Sequence, residues 1–243
     1  MDVVTSSERP DLEQEAGAAF KERWPEFVFH GTAGPTYLPL VSTYFAEYDV
    51  LLLDEGTVAA GGWGVPFSWD GRFEDLPDGY EGTLARSVED HDQGRPPTAL
   101  SFMAAAVAKA YDRQGLAQQV LQALAGRARE RGMTEVVAPL RPTWKHRYPL
   151  QSMADYAGWA RDDGLHLDPW IRTHQRMGAT ILGPAARSMV VRGTVAEWEG
   201  WADMPLPVTG TYVVPDALNP LDVDRDADVA EYVEENLWVQ HHL

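Results

Sequence analysis

The stretch Thr98–Gly132, TALSFMAAAVAKAYDRQGLAQQVLQALAGRARERG, decides the fold. Its first part, Thr98–Ala108, is an apolar run too continuous for a strand with one wet face, and it predicts a central strand covered on both sides. After the turn KAYDRQG, apolar residues recur at helical spacing from Leu116 until Gly132, a glycine placed as a helix C′ residue. The stretch therefore predicts a buried strand, a tight turn and a long amphipathic helix.

Upstream of this stretch, the sequence predicts two helices followed by a pair of strands. The helices are Asp11–Arg23 and Tyr37–Tyr48, and both show the spacing of an amphipathic helix. The strands are Asp49–Glu55, a short apolar run bounded by acids, and Thr57–Trp69.

Between the strand pair and Thr98, the segment Asp70–Pro97 is rich in glycine, proline and acidic residues and has no sustained period. It predicts a long loop with one short helix near Thr83–Val88. Loops of this length in compact domains are usually functional or disordered. Because aromatic residues flank it, we expect this loop to close over the acceptor substrate as a lid.

Downstream of the helix, Thr134–Leu140 predicts the next strand. Ser152 and Asp168 are each placed as the N-cap of a further helix, the second followed by Pro169 and closed by Gly178. Two short strands are expected after it, in the runs ATIL and ARSMVVRG.

The last fifty residues show similar but weaker signals of helices and strands. Thr194 is a third N-cap candidate, and Leu221–Val229 alternates apolar and acidic residues as an edge strand with one wet face would. We find no internal repeat and no low-complexity linker, so we expect one domain, residues 1–193, with residues 194–243 as an extension packed on it. An open edge on a C-terminal strand would suit a homodimer.

Composition excludes several classes of function. The 243 residues carry 37 acidic and 20 basic side chains, a formal net charge of −17, which argues against binding to nucleic acid or to anionic lipid. No cysteine is present, which excludes a disulfide framework, a thiolate nucleophile and a cysteine-based zinc site. The start of the chain is polar and acidic and no apolar run could span a bilayer, so we expect a cytoplasmic location.

The turn before Leu116 is the best candidate for an anion site. A helix start presents unpaired N–H groups and the positive end of the helix dipole, and Gly115 lets a ligand approach closely. The alternative is a plain connection between a strand and a helix. Neither a Walker-type motif nor G-x-G-x-x-G follows any predicted strand, which removes the two commonest nucleotide loops.

The segment Val107–Leu121 resembles the signature of the GNAT superfamily of acyl-CoA-dependent N-acyltransferases, in which Arg/Gln-x-x-Gly-x-Gly/Ala opens a long helix after a strand. Gly115 and Ala117 match the end of that pattern, whereas Asp112 stands where the family has Arg or Gln. The resemblance covers about Val50 to Val191. It implies an α/β (α+β) fold with a mixed, mostly antiparallel central sheet and helices on both faces, to which this chain adds a C-terminal β-rich extension.

The resemblance also implies a co-substrate, acetyl-CoA or another acyl-CoA. The backbone of Ala105 and Val107 is expected to pair with its pantetheine arm. The backbone amides expected to hold the pyrophosphate are those of Arg113, Gln114, Gly115, Leu116, Ala117 and Gln118. Because CoA is polyanionic and the chain is acidic, Lys109 and Arg113 are expected to supply the local positive field together with the helix N-terminus.

His174 is the candidate catalytic residue. Met177-Gly178-Ala179 resembles the end of the last core helix of the family, and many members carry a proton-donating tyrosine at the position of His174. An imidazole can donate a proton near neutral pH and would suit the departing CoA thiolate. The alternative is that Trp170, His174 and Met177 form the buried stripe of the helix and that His174 only packs in the core.

Other residue patterns give weaker indications of a functional site. The series Asp222, Asp224, Asp226 and Asp228 is similar to the start of a calcium loop, but Ala227 stands where an EF-hand needs glycine, so we expect a solvated strand face and no metal. The seven histidines show no zinc-binding spacing, and no G-x-S-x-G motif indicates a serine hydrolase.

Aromatic residues cluster where an acceptor is expected to bind. They indicate a roomy, partly apolar pocket, for an acceptor or for an acyl group larger than acetyl, although core packing explains any one of them equally well. The cluster comprises Trp63, Phe67, Trp69, Phe73, Tyr80, Trp144, Tyr148, Tyr156 and Trp159. Glu81 and Asp155 could take a proton from an ammonium acceptor, but no spacing distinguishes either residue.

The sequence thus predicts an acyltransferase that moves an acetyl or larger acyl group from acyl-CoA to a small-molecule amine or peptide acceptor. Attack is expected to be direct, without a covalent enzyme intermediate, because the chain has no cysteine. The alternative is a catalytically silent module with the same fold that binds CoA or a protein partner.

Overall fold

Nine strands form one mixed sheet in which only one neighbouring pair is parallel. The computed structural model describes all 243 residues. The strand order is β1-β2-β3-β4-β5-β9-β8-β7, and β6 pairs with β9. The strands are β1 Asp2–Thr5, β2 Asp49–Asp54, β3 Thr57–Phe67, β4 Ala99–Val107, β5 Glu135–Leu140, β6 Thr180–Gly193, β7 Gly210–Tyr212, β8 Leu221–Asp224 and β9 Val229–His242. The expected mixed, mostly antiparallel sheet is therefore confirmed.

Helices cover both faces of this sheet. Neighbouring glycines of β3 show this directly, because a Cβ on Gly61 would meet Phe20 of a first helix and a Cβ on Gly62 would meet Val120 of another. The α-helices are α1 Glu13–Lys21, α2 Gly34–Tyr44, α3 Gly79–Asp92, α4 Leu116–Glu130, α5 Met153–Ala157, α6 Pro169–Arg176 and α7 Val195–Ala202. Single 3-10 turns occupy Pro10–Leu12, Glu26–His30, Ala46–Tyr48, Phe73–Asp75, Lys109–Tyr111 and Lys145–Arg147. None of the helices is both long and apolar enough to cross a membrane.

The strand, turn and helix predicted for Thr98–Gly132 are confirmed. β4 is a buried strand, α4 follows the turn, and Gly132 ends the helix with φ +79°. The predicted caps are also present, because Ser152 accepts from the Asp155 N–H and Thr194 forms a full capping box with Glu197. Local sequence signals therefore suffice to place these elements.

β4 and β5 are the parallel pair, and they diverge. They pair only where Ala99–Ser101 lies beside Glu135–Val137. Beyond this point β4 continues to Val107 against β3, and β5 continues to Leu140 against β9. A slot therefore opens in the middle of the sheet between the last parts of these two strands.

The segment Asp70–Pro97 was wrongly predicted to be mostly loop, although the short helix expected near Thr83–Val88 is present within a longer one. It contains the fourteen-residue helix α3, which packs against β3, β6 and α2. The buried face of α3 includes Thr83 and Ser87, whose hydroxyls donate to carbonyls of the same helix, so the apolar period is interrupted in the sequence. The helix also starts at Gly79, φ +64°, where a Cβ would lie 2.3 Å from the Ser188 hydroxyl.

Two strand predictions were also wrong. The run Leu221–Val229 is not one edge strand, because it comprises β8 (Leu221–Asp224), the turn after it and the first residue of β9. The runs ATIL and ARSMVVRG form a single irregular strand, β6. β9 pairs with β6 along one edge and with β8 and β5 along the other, so residues 194–243 supply a strand of the central sheet. β9 is thus paired on both edges, whereas β7 pairs only with β8 at the end of the sheet, and the homodimer stays a prediction.

Candidate active site

The slot between β4 and β5 is part of a cavity with a volume of about 1460 Å³. Consecutive residues line each wall, Phe102–Val107 on β4 and Ala138–Thr143 at the end of β5. Since neighbouring residues of a strand point to opposite faces, a wall of consecutive residues means that the cavity follows the strand edge through the sheet. Helices α4 and α6 lie along the same cavity, as does the start of α3.

The edge of β4 offers backbone groups to this slot. The Ala108 N–H donates to the Ala59 carbonyl of β3 at 2.9 Å. Because the hydrogen-bonding direction alternates along a strand, the N–H and carbonyl groups of Val107 and Ala105 point the other way, toward β5. These are the two residues expected to pair with the pantetheine arm.

The turn at the mouth of the slot presents a cradle of free N–H groups. The amides of residues 113 to 118 donate to no other group of the protein. Arg113 and Gly115 both have left-handed backbone conformations, φ +65° and +76°, as in anion-binding nests of successive N–H groups. No atom lies within 4 Å of a Cβ built on Gly115. This donor set fits a pyrophosphate.

Seven of the eight predicted cofactor residues line the cavity; the exception is Gln114. Of the two cations expected to supply the local positive field, Arg113 lines the cavity, whereas Lys109 does not and is paired with Glu22. Arg23, from the segment after α1, lines the cavity instead and is bound to Asp112, the residue that departs from the family signature. No sequence motif marks Arg23, since it is brought to the turn only by folding.

His174 is fully buried and lines the cavity. Its Nδ1 lies 2.9 Å from Nε2 of His241 near the end of β9, and its own Nε2 has no hydrogen-bond partner in the protein. Burial lowers the pKa of His174 well below its ordinary value, and the neighbouring His241 lowers it further. The ring of His174 is therefore neutral at pH 7. It does not have the ordinary pKa that was expected for a proton donor.

Helix α6, which carries His174, is held firmly at its start. The buried carboxylate of Asp168 accepts from the Trp170 and Ile171 N–H groups at 2.8 and 3.3 Å, which caps the helix. Its second oxygen accepts from the Trp144 N–H at 2.6 Å and from the Tyr156 hydroxyl at 2.9 Å. The predicted N-cap is thus also the anchor that fixes the position of the candidate catalytic ring.

Carboxylates line another part of the cavity. Glu81 of α3 accepts from the Ala33 and Val190 N–H groups at 2.9 and 3.0 Å, which ties the start of α2 to β6. Asp216 also lines the cavity and is exposed. Of the two acids named from the sequence, Glu81 therefore reaches the cavity, whereas Asp155 does not and bonds to Ser152.

A buried ion pair lies beside these acids and was missed by sequence reasoning. Nε of Arg141 donates to both carboxylate oxygens of Glu234, at 3.1 and 3.0 Å. Glu234 also accepts from the Tyr232 hydroxyl at 2.8 Å and from the Asn236 amide at 2.9 Å. The two charges are 93 residues apart in the sequence and no motif joins them, so only the topology could reveal the pair.

The predicted aromatic cluster divides into separate groups. Only Trp63 and Tyr80 of its nine members line the cavity, where their rings are 6.1 Å apart. Phe67 and Trp69 belong to a separate small core, and Tyr156 and Trp159 pack on each other. Most of these rings therefore stabilise the fold, and Trp170 of α6 is an additional aromatic residue at the cavity.

The aspartates from Asp222 to Asp228 do not converge on a common point. Asp222 accepts from the Thr211 hydroxyl, and Asp224 accepts from two N–H groups of the turn after it. No group of three or more histidine, aspartate or glutamate side chains is arranged to hold a metal ion. Asp224 therefore stabilises the turn between β8 and β9, whereas Asp222 links β8 to β7.

Comparison with known proteins gives one close sequence relative and several solved structures. No protein-family profile matches the chain. Arginine N-acetyltransferase avaD of Aspergillus versicolor is 30% identical over 273 residues, which cover 99% of this chain and 93% of that protein. The similarity therefore extends over the whole chain, including residues 194–243.

Solved structures share the fold at low identity. The loading GNATL domain of CurA from Lyngbya majuscula matches with a TM-score of 0.66 and 14% identity over 99% of this chain and 96% of that domain. A GphF GNAT-like decarboxylase, solved in complex with isobutyryl-CoA, matches with a TM-score of 0.62 and 18% identity over 100% of this chain and 99% of that one.

The slot, the amide cradle and the fold agree with the whole-length similarity to a known N-acetyltransferase. The chain therefore belongs to the GNAT superfamily of acyl-CoA-dependent N-acyltransferases and is an enzyme that transfers an acyl group to an amine.

Proposed function

We propose that this enzyme transfers an acetyl group from acetyl-CoA to a nitrogen of arginine or of a small molecule or short peptide that carries an arginine-like cationic group. The observation that carries the proposal is one cavity that joins an anion cradle, at residues 113 to 118, to the carboxylates of Glu81 and Asp216. The first suits a polyanionic co-substrate and the second a cationic acceptor. The arginine N-acetyltransferase relative supports the same acceptor class.

In the proposed arrangement, the free amides of the turn bind the pyrophosphate of acetyl-CoA, and the exposed edge of β4 binds its pantetheine arm at Ala105 and Val107. Acetyl-CoA supplies the thioester. This alignment would bring the thioester to the point where β4 and β5 separate. His174 and Phe102 line the cavity in that region, with their rings 6.5 Å apart.

The acceptor nitrogen attacks the carbonyl carbon of the thioester, so that a C–N bond forms and the C–S bond breaks. An acceptor nitrogen that is cationic at pH 7 first releases one proton to the solvent, which frees its lone pair for attack. In the transfer the nitrogen loses a second proton and the departing sulfur gains one, which gives an amide and free CoA. His174 is placed to carry this proton. As a neutral base it takes the proton from nitrogen, and as an imidazolium with a lowered pKa it gives the proton readily to a thiolate, whose ordinary pKa is about 8.5.

Acetyl is the proposed acyl group because bulky rings surround His174. Trp170 stands edge-on to its ring at 4.6 Å, and the side chain of Phe102 is buried beside it. These rings leave less room beside His174, which favours a small acyl group. A cytoplasmic location, where acetyl-CoA is available, belongs to the same proposal.

The proposal is tested by measuring CoA release with a thiol reagent. Acetyl-CoA is offered with arginine, agmatine, lysine and short arginine peptides, and the products are identified by mass spectrometry. We expect release that depends on an arginine-like acceptor and a product heavier by one acetyl group. Tight binding of acetyl-CoA without release for any of these acceptors would reject the proposed acceptor class.

A further inference from the structure

The side chain of His241 is the hydrogen-bond partner of the His174 ring. The two rings come from α6 and from the end of β9, and they are 67 residues apart in the sequence. Their centroids are 5.1 Å apart and their planes are inclined by 54°, with Nδ1 of His174 facing Nε2 of His241 at 2.9 Å. Both rings are buried, so this hydrogen bond is shielded from water.

The protonation of the second ring nitrogen of His241 determines which of the two histidines donates this hydrogen bond. The backbone of Met177 favours the protonated form of His241 and so opposes the lowering of its pKa by burial. Since Nε2 of His241 faces His174, the proton that the Met177 backbone favours is assigned to Nδ1. A neutral imidazole carries a single N–H, which leaves Nε2 of His241 as the acceptor and Nδ1 of His174 as the donor. Nε2 of His174 is then a nitrogen with a free lone pair.

The surroundings of the pair are aromatic and uncharged. Trp170 of α6 and Phe102 of β4 pack against His174, and Phe102 also packs against His241 at 5.8 Å. His241 is the one titratable group that contributes to the shift in the pKa of His174. His242, the next residue of β9, acts on His241 and is itself paired with Glu135 at 3.0 Å. No carboxylate therefore stabilises an imidazolium at His174.

We propose that His241 is a positioning residue, which accepts the Nδ1–H of His174 and so holds Nε2 unprotonated and facing the cavity. In the reaction, Nε2 takes the proton that the acceptor nitrogen loses and passes it to the departing sulfur. The inference rests on the proposed function of His174. A purely packing role for His241 would require neither the hydrogen bond nor its direction.

Two variants of His241 separate these roles. His241→Phe keeps an aromatic ring but removes the acceptor, whereas His241→Gln retains an oxygen that can accept from Nδ1 of His174. With acetyl-CoA and the best acceptor, we expect His241→Phe to lower kcat about 10- to 100-fold, as loss of an orienting partner does, with KM for acetyl-CoA within about twofold. His241→Gln is expected to keep most of kcat.

The pH profile gives a readout that packing would not move. In both variants, one of the two causes that lower the pKa of His174 is gone, so the acidic limb of the kcat profile is expected to move to higher pH. A folded His241→Phe enzyme with an unchanged profile and a kcat within about twofold of wild type would overturn the proposal. Equal losses of kcat in the Phe and Gln variants would also overturn it.

A measurement on the unaltered chain keeps the inference testable if a variant does not fold. Nitrogen-15 NMR of labelled histidine in the wild-type protein distinguishes protonated from unprotonated ring nitrogens. We expect Nδ1 of His174 to be protonated and Nε2 to be unprotonated at pH 7, and the reverse tautomer would overturn the inference. This result does not depend on turnover, so it is distinct from a failure of the proposed function.

Discussion

Arg23 and Asp112 form an ion pair at the mouth of the cavity, with Nη2 of Arg23 2.5 Å from Oδ1 of Asp112. Asp112 occupies the first position of the signature that introduces α4, where the family has Arg or Gln. The cation missing from the signature is thus supplied by a residue 89 positions earlier in the chain. Asp112 departs from the family signature, and its carboxylate holds Arg23 beside the free amides of residues 113 to 118.

If Arg23 attracts the phosphates, Arg23→Gln should weaken CoA binding by about tenfold, with a larger effect at low salt because screening is weaker there. Calorimetric titration at two salt concentrations measures this. Arg9→Gln is the matched control, since Arg9 also pairs with an aspartate near the N-terminus but does not line the cavity. Equal CoA affinity in both variants would remove Arg23 from the site.

Gly115→Glu tests the phosphate cradle itself. The substitution places bulk and negative charge against the free amides, so CoA affinity is expected to fall by orders of magnitude while the protein stays folded. Gly132→Glu at the other end of α4 is a close control. Gly132 also has a left-handed backbone, φ +79°, and open space around its Cβ, so the backbone strain is matched. If the Gly115 variant binds CoA normally, the phosphates bind elsewhere.

His174→Ala is expected to lower kcat about 10²- to 10⁴-fold, the usual contribution of a positioned acid–base group, and to leave CoA affinity nearly unchanged. His174→Tyr should recover part of the rate, because the family places a proton-donating tyrosine at this position. Steady-state kinetics and calorimetry measure the two effects, with His91→Ala as the control because His91 does not line the cavity. A kcat within about twofold of wild type would return His174 to a packing role.

The sequence predicts those features whose residues are close together in the chain. The strand, turn and helix around Gly115 are adjacent in the chain, and the cap at Asp168 is a short motif, so both could be predicted. The partners of His174 and Asp112 could not be predicted, because His241 and Arg23 reach them only through the sheet topology. Only the middle of helix α3 was predicted, because Thr83 and Ser87 occupy its buried face and interrupt the apolar period.

Three buried histidines should make stability depend on pH. Burial lowers the pKa of His166, His174 and His241 in the folded state, whereas the unfolded chain titrates near the ordinary value of about 6.5. As pH falls through 6.5, the unfolded state binds protons that the folded state does not bind, so the free energy of unfolding decreases. Urea unfolding at pH 7.5 and 5.5 should show this decrease, and His174→Gln should reduce it. Equal stability at the two pH values would contradict the argument.

Arg141→Met should destabilise the fold by removing the cation that neutralises Glu234. Glu234 is 1% exposed, and breaking a buried pair from one side costs about 3–5 kcal/mol because a charge is left without compensation. Adding Glu234→Gln should recover part of this loss. Arg192→Met is the control, because its contact with Glu231 is exposed and 3.9 Å long, and exposed pairs contribute at most about 1 kcal/mol. Urea unfolding measures all three variants, and similar losses at Arg141 and Arg192 would show that Glu234 does not depend on its ion pair.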